Sequence, residues 1–224
     1  MRYSAIIFGG IGSLVETSDI QRLAFNDAFE TSGIDYYWDI ETYQKSLSST
    51  GGQARLSSLR LNNGDALTPA QIIEIHSAKT ENYIARMTQA NLVLRPGVSH
   101  LIQQAQTDNV RLAWATSTSI ANIDGLINAT QGALSKGMFA FIGNNTLVQY
   151  QKPDPEIYRL ALTALGLRPS QALAIEDSVT GVTAAKAAGL TTIAFPGAFN
   201  MDKDFNLADE VVSDVSHLIS EFVA

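Results

Sequence analysis

Short apolar runs alternate with longer stretches of helical periodicity along this chain, the rhythm of a parallel sheet covered by helices. The runs are Ser4–Phe8, Val110–Ala115, Met138–Ile142, Ala172–Ile175 and Thr191–Phe195. Each reads as continuously apolar, as a strand buried on both faces does. Each is closed by glycines or by hydroxyl, amide and carboxyl residues: Gly9-Gly10, Thr116 to Ser119, Gly143-Asn144-Asn145, Glu176-Asp177-Ser178 and Pro196-Gly197. In an open α/β sheet that carboxyl edge is where ligands sit. Between the first strand and Val110 the pattern changes. From about Ile20 to Met87 it is helical without a convincing strand, and Tyr36, Tyr37, Trp38 and Tyr43 cluster there. Leu94-Arg95-Pro96-Gly97 is a turn signal that closes the region. The expected fold is a doubly wound α/β core of residues 1–15 and 91–224. A helical cap at 16–90 is inserted after the first strand.

Composition narrows the chemistry. The 224 residues carry 15 Lys and Arg against 22 Asp and Glu, a net charge of −7, which argues against nucleic acid or an anionic membrane as a partner. The absence of cysteine excludes disulfides, thiol nucleophiles and thiolate metal sites. With 46% hydrophobic residues there is ample material for a core. No apolar run approaches the roughly 18 residues of a membrane span. No signal-peptide pattern follows Met1, so the expected compartment is the cytoplasm.

Four clusters should converge on the carboxyl edge: Gly9 to Ser13, Thr116-Ser117, Lys152-Pro153 and Glu176-Asp177. Taken singly, each has a plain structural reading. Glu176-Asp177 before Ser178 can be a helix start with acids complementing the dipole. Thr116 to Ser119 can be an N-cap cluster, and Lys152-Pro153 a turn before a helix. Gly9-Gly10-Ile11-Gly12 fails as a dinucleotide fingerprint because Val15 stands where a third small residue belongs. No Gly-Lys-Ser/Thr occurs, which excludes a Walker loop. His76, His100 and His217 lack ligand or nucleophile spacing. Tyr36-Tyr37-Trp38 reads as packing between helices.

Together, the clusters resemble the haloacid dehalogenase superfamily, in its capped phosphatase and phosphomutase branch. Gln151 to Tyr158 is similar to that branch's lysine motif. Ala174 to Ser178 with Gly181 and Ala184 to Gly189 resembles its acidic motif, and Leu112 to Ser117 its Thr/Ser motif. Phe25 to Trp38 and Thr50-Gly51-Gly52 to Arg55 look closest to the branch's xylulose bisphosphate phosphatases. The resemblance implies a Rossmann-like core and a magnesium-dependent site. In that site a first-strand Asp attacks phosphorus and a second Asp, two residues on, moves the leaving-group proton. Here Gly9 stands at the nucleophile position and Ile11 at the acid/base position. Neither residue can do that work. Glu16, the nearest carboxylate in sequence, lies beyond the loop and is not expected to substitute.

What the resemblance leaves is a partial anion site. Thr116 and Lys152 are vestigial catalytic residues. Ser117, Thr50, Gly51, Gly52 and Arg55 are candidate substrate contacts, Arg55 gripping a distal phosphate or being structurally paired. Asp177 and Glu176 are candidate ligands of a weakened magnesium site. Losing two negative charges also removes repulsion against a phosphate dianion. The expected function is therefore a non-catalytic homologue that binds a phosphorylated small molecule, a sugar phosphate, or acts through a protein partner. The alternative is a magnesium-dependent sugar-phosphate phosphatase or phosphomutase turning over by a non-standard route.

Overall fold

The computed structural model describes residues 3–47 and 51–221, with the side chains from 219 onward excepted. Six strands form one all-parallel sheet: β1 (Ala5–Phe8), β2 (Arg111–Trp114), β3 (Phe141–Ile142), β4 (Ala172–Glu176), β5 (Thr191–Ala194) and β6 (Glu210–Val211). Their spatial order is β3-β2-β1-β4-β5-β6. The chain winds outward from β1 in one direction, then returns to wind outward from β4 in the other. Such a switch between neighbouring strands opens a crevice at their carboxyl ends. This is the doubly wound α/β class that the apolar runs predict.

The period-2 alternation of the strands sorts the two faces by size. Ile6, Phe8, Leu112, Trp114, Leu173 and Ile175 face one side. Ala5, Ala113, Ala115, Ala172 and Ala174, with Ile7 the one large strand residue among them, share the other with Ile157, Tyr158 and Leu162. Small residues on that face let α7 (Glu156–Leu165) and α8 (Val179–Ala187) lie close. Each large side chain buried on the first face contributes roughly 1.5–3 kcal/mol.

Two strand expectations need correction. The run Met138–Ile142 is not one strand, because Lys136–Met138 form a short 3-10 turn and only Phe141–Ile142 pair with β2. β6 was not among the expected strands: it has two residues, lies exposed at the sheet edge and carries no apolar run.

Between β1 and β2 the described residues hold five helices: α1 (Ser18–Thr31), α2 (Ile40–Ser46), α3 (Gly52–Ser58), α4 (Pro69–Gln89) and α5 (Val98–Thr107). Local chemistry starts several of them. Thr68 and Gln71 form a reciprocal capping box ahead of Pro69 at the first turn of α4. Asp39 caps α2 by accepting from Thr42 N at 2.7 Å. The first four helices enclose their own aromatic cluster, including Phe25, Phe29, Trp38 and Tyr43, with the aliphatic Leu56 packed among them. Trp38 meets Phe25 edge-on at 4.9 Å and Tyr43 at 5.4 Å. Of the expected aromatic group, Tyr36 packs against this cluster while Tyr37 is exposed. α4 also packs on α6 (Ile120–Ala129), where Gly125 lets Ile84 and Met87 approach. Among the described residues no helix is long and apolar enough to cross a membrane.

Candidate functional site

The register Phe8↔Trp114 and Phe8↔Ile175 brings the ends of β1, β2 and β4 level. Gly9 N continues the ladder to Ile175 O at 2.9 Å, and Ala115 N to Phe8 O at 2.7 Å. Gly9, Thr116 and Glu176 therefore meet at one edge. The chain then turns through a 3-10 segment, Ile11–Ser13, in which Ser13 Oγ donates to Gly10 O at 2.7 Å.

Glu176 dominates this edge. It is fully buried. Its Oε1 accepts from Lys152 Nζ at 2.5 Å and from the Tyr158 hydroxyl at 2.6 Å. Its Oε2 accepts from Asp177 N at 3.0 Å. A buried carboxylate needs such partners, because an unpaired charge there is prohibitively costly. The carboxylate lies between two glycines. A Cβ at position 9 would overlap Glu176 Oε1, and a Cβ at position 181 would overlap the same carboxylate. Position 9 must thus be glycine for Glu176 to stand where it does. Burial and the Glu176 charge push the Tyr158 hydroxyl's pKa up, so it stays a donor.

Asp177 lies over the loop in the same fashion. A Cβ on Gly10 or Gly12 would strike its carboxylate. Its Oδ1 is buried without a hydrogen-bond partner. Burial, then the Glu176 charge, raises its pKa to about 7, against the opposing pull of Lys152 and Arg95. Ile11 points elsewhere: it is 8% exposed and belongs to the main apolar cluster with Leu14 and Val15. Glu16 accepts from Ser18 N and Ala198 N and so is tied to the backbone.

Lys152, which precedes a cis bond to Pro153, is buried. Thr116 is also buried, its Oγ1 accepting from Thr118 N at 3.3 Å, while Ser117 is half-buried. Of the other candidates, Thr50 lies outside the described residues. Gly51 is exposed with φ at 90°, and Gly52 lies against His76 and Phe25. Arg55 is buried in the helical segment. It donates to Tyr43 Oη at 3.0 Å and Ser46 O at 3.3 Å, with its guanidinium 5.1 Å from the Tyr43 ring centre.

Two cations that the sequence reading did not single out now matter. Lys79 is 5% exposed, its Nζ 5.2 Å from the Phe25 ring centre and 4.7 Å from that of Tyr83. Among the described residues no carboxylate pairs with it. Burial, then Arg55, lowers its pKa to about 7, and the same kind of burial lowers that of His76 beside it. A signal for Lys79 exists in the sequence: Ile75, Lys79, Tyr83 and Met87 form an i, i+4 stripe, and all four are buried on α4. Arg95, the second, donates to Gly12 O at 2.6 Å and so braces the first loop.

The resemblance implies magnesium, and of the two expected ligands only Asp177 has an oxygen left to offer it. Magnesium takes six oxygens in near-ideal octahedral geometry, held by one or two carboxylates with water and phosphate. Glu176 is already committed to Lys152, Tyr158 and backbone N–H groups. Asp177 alone offers one unpartnered carboxylate oxygen. Among the described residues no cluster of three acidic or histidine side chains is placed to hold a metal.

The description haloacid dehalogenase-like hydrolase matches residues 6–189 of the chain. Protein CbbY of Cereibacter sphaeroides is 41% identical over 215 residues, covering 96% of this chain and 93% of that protein. A crystal structure of CbbY from Rhodobacter sphaeroides in complex with phosphate is similar with a TM-score of 0.89, at 40% identity, covering 96% of both chains. An Asp-to-Asn variant of CbbY in complex with xylulose-(1,5)bisphosphate gives a TM-score of 0.90 at 39% identity, covering 99% of this chain and 100% of that one.

Proposed function

The chain belongs to the haloacid dehalogenase-like hydrolase family, and from that membership we propose that it is a member without turnover that binds a phosphorylated small molecule. The observation that carries this reading is the filled space at position 9. The room a nucleophile's side chain would need holds the Glu176 carboxylate, which is buried and bonded through both oxygens. It has no free lone pair directed at a substrate. Gly9 itself offers no side chain, and Ile11 is turned into the core.

Lys152, Thr116 and Ser117 at the sheet edge form the anion subsite under this proposal, the loop hydroxyls and backbone N–H groups receiving phosphate oxygens. The division into a core (1–15 and 91–224) and a cap (16–90) is part of the same proposal. The relatives' structures hold phosphate and a pentulose bisphosphate, which supports a sugar phosphate as ligand class. Arg55 and Lys79, two buried cations with no acid between them, support a second anionic group on that ligand. One observation favours the alternative of turnover: Asp177 Oδ1 has no hydrogen-bond partner, and burial and the Glu176 charge raise its carboxyl pKa toward neutrality. A proton carrier without a nucleophile does not make a phosphatase of this family.

Calorimetry tests the proposal. Inorganic phosphate and xylulose 1,5-bisphosphate are each titrated with and without magnesium. Binding is expected in both conditions, with affinities agreeing within about threefold, as a site lacking a metal cluster requires. Absence of binding, or binding only with magnesium, overturns it.

Lys79 supplies a second check. Its proton is held up to 10.5 in the unfolded chain but only to about 7 in the fold. Between those values the unfolded state binds more protons, so stability rises with pH across that window and carries the full penalty below it. Lys79→Met is expected to be more stable than the parent at pH 6 and to lose that rise in denaturation series. It also weakens the bisphosphate by roughly tenfold or more, the scale of one charge-assisted hydrogen bond. Phosphate affinity should not move.

A further inference from the structure

The turn after β5 touches both the acidic strand end and the helical segment. Toward β4, Phe195 N donates to Glu176 O at 2.6 Å. Gly197 N and Asn200 Nδ2 both donate to Asp177 O at 3.2 Å. Both crossings of the chain between sheet and helices are fastened to this turn. On the outgoing crossing, Glu16 accepts from Ala198 N at 2.6 Å and from Ser18 N at 2.7 Å. On the returning one, Arg95 donates to Phe195 O and Pro196 O at 2.7 Å each. Its guanidinium lies 3.4 Å from the Phe195 ring centre. From the same turn Phe199 enters the aromatic cluster of the helical segment, edge-on to Tyr43 at 6.0 Å. The Tyr43 hydroxyl in turn accepts from Arg55.

We propose that residues 195–200 form a strap that sets where the helical segment stands over the sheet edge, with Phe199 as its positioning residue. The segment carries Arg55 and Lys79, and the sheet edge carries Lys152 and Thr116. The strap thus fixes the spacing between two cationic groups, and with it the length of doubly anionic ligand that can span them. That last consequence rests on the sugar-phosphate reading above. The mechanical part does not.

A strap differs from ordinary core packing in what its loss releases. Removing a core side chain lowers global stability and exposes every element together, whereas releasing a strap frees one unit while the sheet stays closed. Amide hydrogen exchange separates the two without any ligand. In Phe199→Ala, exchange across α2 and α3 is expected to quicken by about tenfold or more, with β1 and β4 unchanged. Phe199→Leu, which keeps the apolar bulk, is expected to restore most of the protection. Asn200→Ala removes one bond to the Asp177 carbonyl and leaves the cluster intact. It should give the same pattern at smaller amplitude, and it serves where Phe199→Ala fails to fold. Uniform quickening that includes the sheet, or no change in α2 and α3, overturns the proposal.

Calorimetry adds the ligand arm. Phe199→Ala is expected to weaken xylulose 1,5-bisphosphate about tenfold while leaving inorganic phosphate within about twofold. Equal loss of both overturns the spacing role. If the parent binds neither probe, the sugar-phosphate reading fails, and hydrogen exchange still decides whether the strap exists.

Discussion

Incubated with magnesium and a panel of sugar phosphates, the chain is expected to release phosphate no faster than a buffer control. The magnitudes leave little room for another result. Loss of a nucleophile that works as a unit with its partners costs up to about 10⁶-fold in kcat. Loss of the acid/base residue costs about 10²–10⁴, although the two need not multiply. Two nearby carboxylates are already engaged, which supports the same expectation. Glu176 is buried and paired, Glu16 is tied to backbone N–H groups, and Ile11 lies in the core. The informative companion is Gly9→Asp, Ile11→Asp. Thr116, Lys152 and Asp177 remain at the sheet edge, so this variant is expected to release phosphate from sugar phosphates measurably once Glu176 is displaced from position 9 and the new side chain at position 11 turns out of the apolar cluster. Turnover by the parent overturns the non-catalytic reading. A silent double variant would show that the remainder of the site no longer supports the reaction.

The second large effect concerns Glu176 itself. Glu176→Gln is expected to destabilise the fold by about 3–5 kcal/mol, the cost of leaving a buried charge without its counter-ion. The charge in question is Lys152, whose side chain is 7% exposed. For a chain of this size, roughly 2–4 °C of melting temperature accompanies each kcal/mol, so a fall of about 10 °C should be seen. The same geometry predicts an unusual rescue. A carboxylate at position 9 would stand in the space that Glu176 now fills. Gly9→Asp alone crowds two carboxylates around one ammonium and should destabilise. Gly9→Asp combined with Glu176→Ala, which empties the space as glutamine would not, moves the charge facing Lys152 from β4 to β1, and it is compared with Glu176→Ala alone. It should recover much of the loss, a favourable coupling measurable by a double-mutant cycle in denaturant. Simple additivity would show that the pairing of Lys152 is not transferable and that Gly9 is unrelated to it.

Much of the fold is legible in the sequence, for a definite reason. Parallel strands buried on both faces are near-continuously apolar: β1 is wholly so, and β2, β4 and β5 carry polar residues only at one end. The helical stretch after β1 is equally plain, because one face of each helix must repeat at the helical period. Legibility fails where burial fails. β6 is exposed and two residues long, so it owes its place to pairing with β5 and leaves no hydrophobic mark. β3 shrinks because a 3-10 turn ends at Met138 and only Phe141 and Ile142 of the apolar run pair with β2.

The site divides along another line. That position 9 lacks a carboxylate is written in the chain, and so is the clustering of Thr116, Lys152 and Glu176 at strand ends. What fills the vacancy is not. Gly9 and Glu176 meet only because β1 and β4 are neighbours in the sheet. Gly181 reaches the same carboxylate from α8, and Tyr158 reaches it from α7. Arg55 reads from the sequence equally well as a phosphate grip or a paired side chain. Its bonds to Tyr43 and Ser46 show a structural partner, while Lys79 beside it has no carboxylate at all among the described residues. Phe199 reads as one more aromatic residue until the fold carries it across to Tyr43. The sequence by itself determined the class of sheet, the helical stretch after β1 and the absence of a side chain at position 9, because burial, periodicity and residue chemistry are local properties. Only the tertiary structure decided which charge neutralises Lys152 and which turn joins the helical segment to the sheet. Both depend on side chains far apart in the chain sharing a space too small for one more carbon atom or too dry for an unpaired charge.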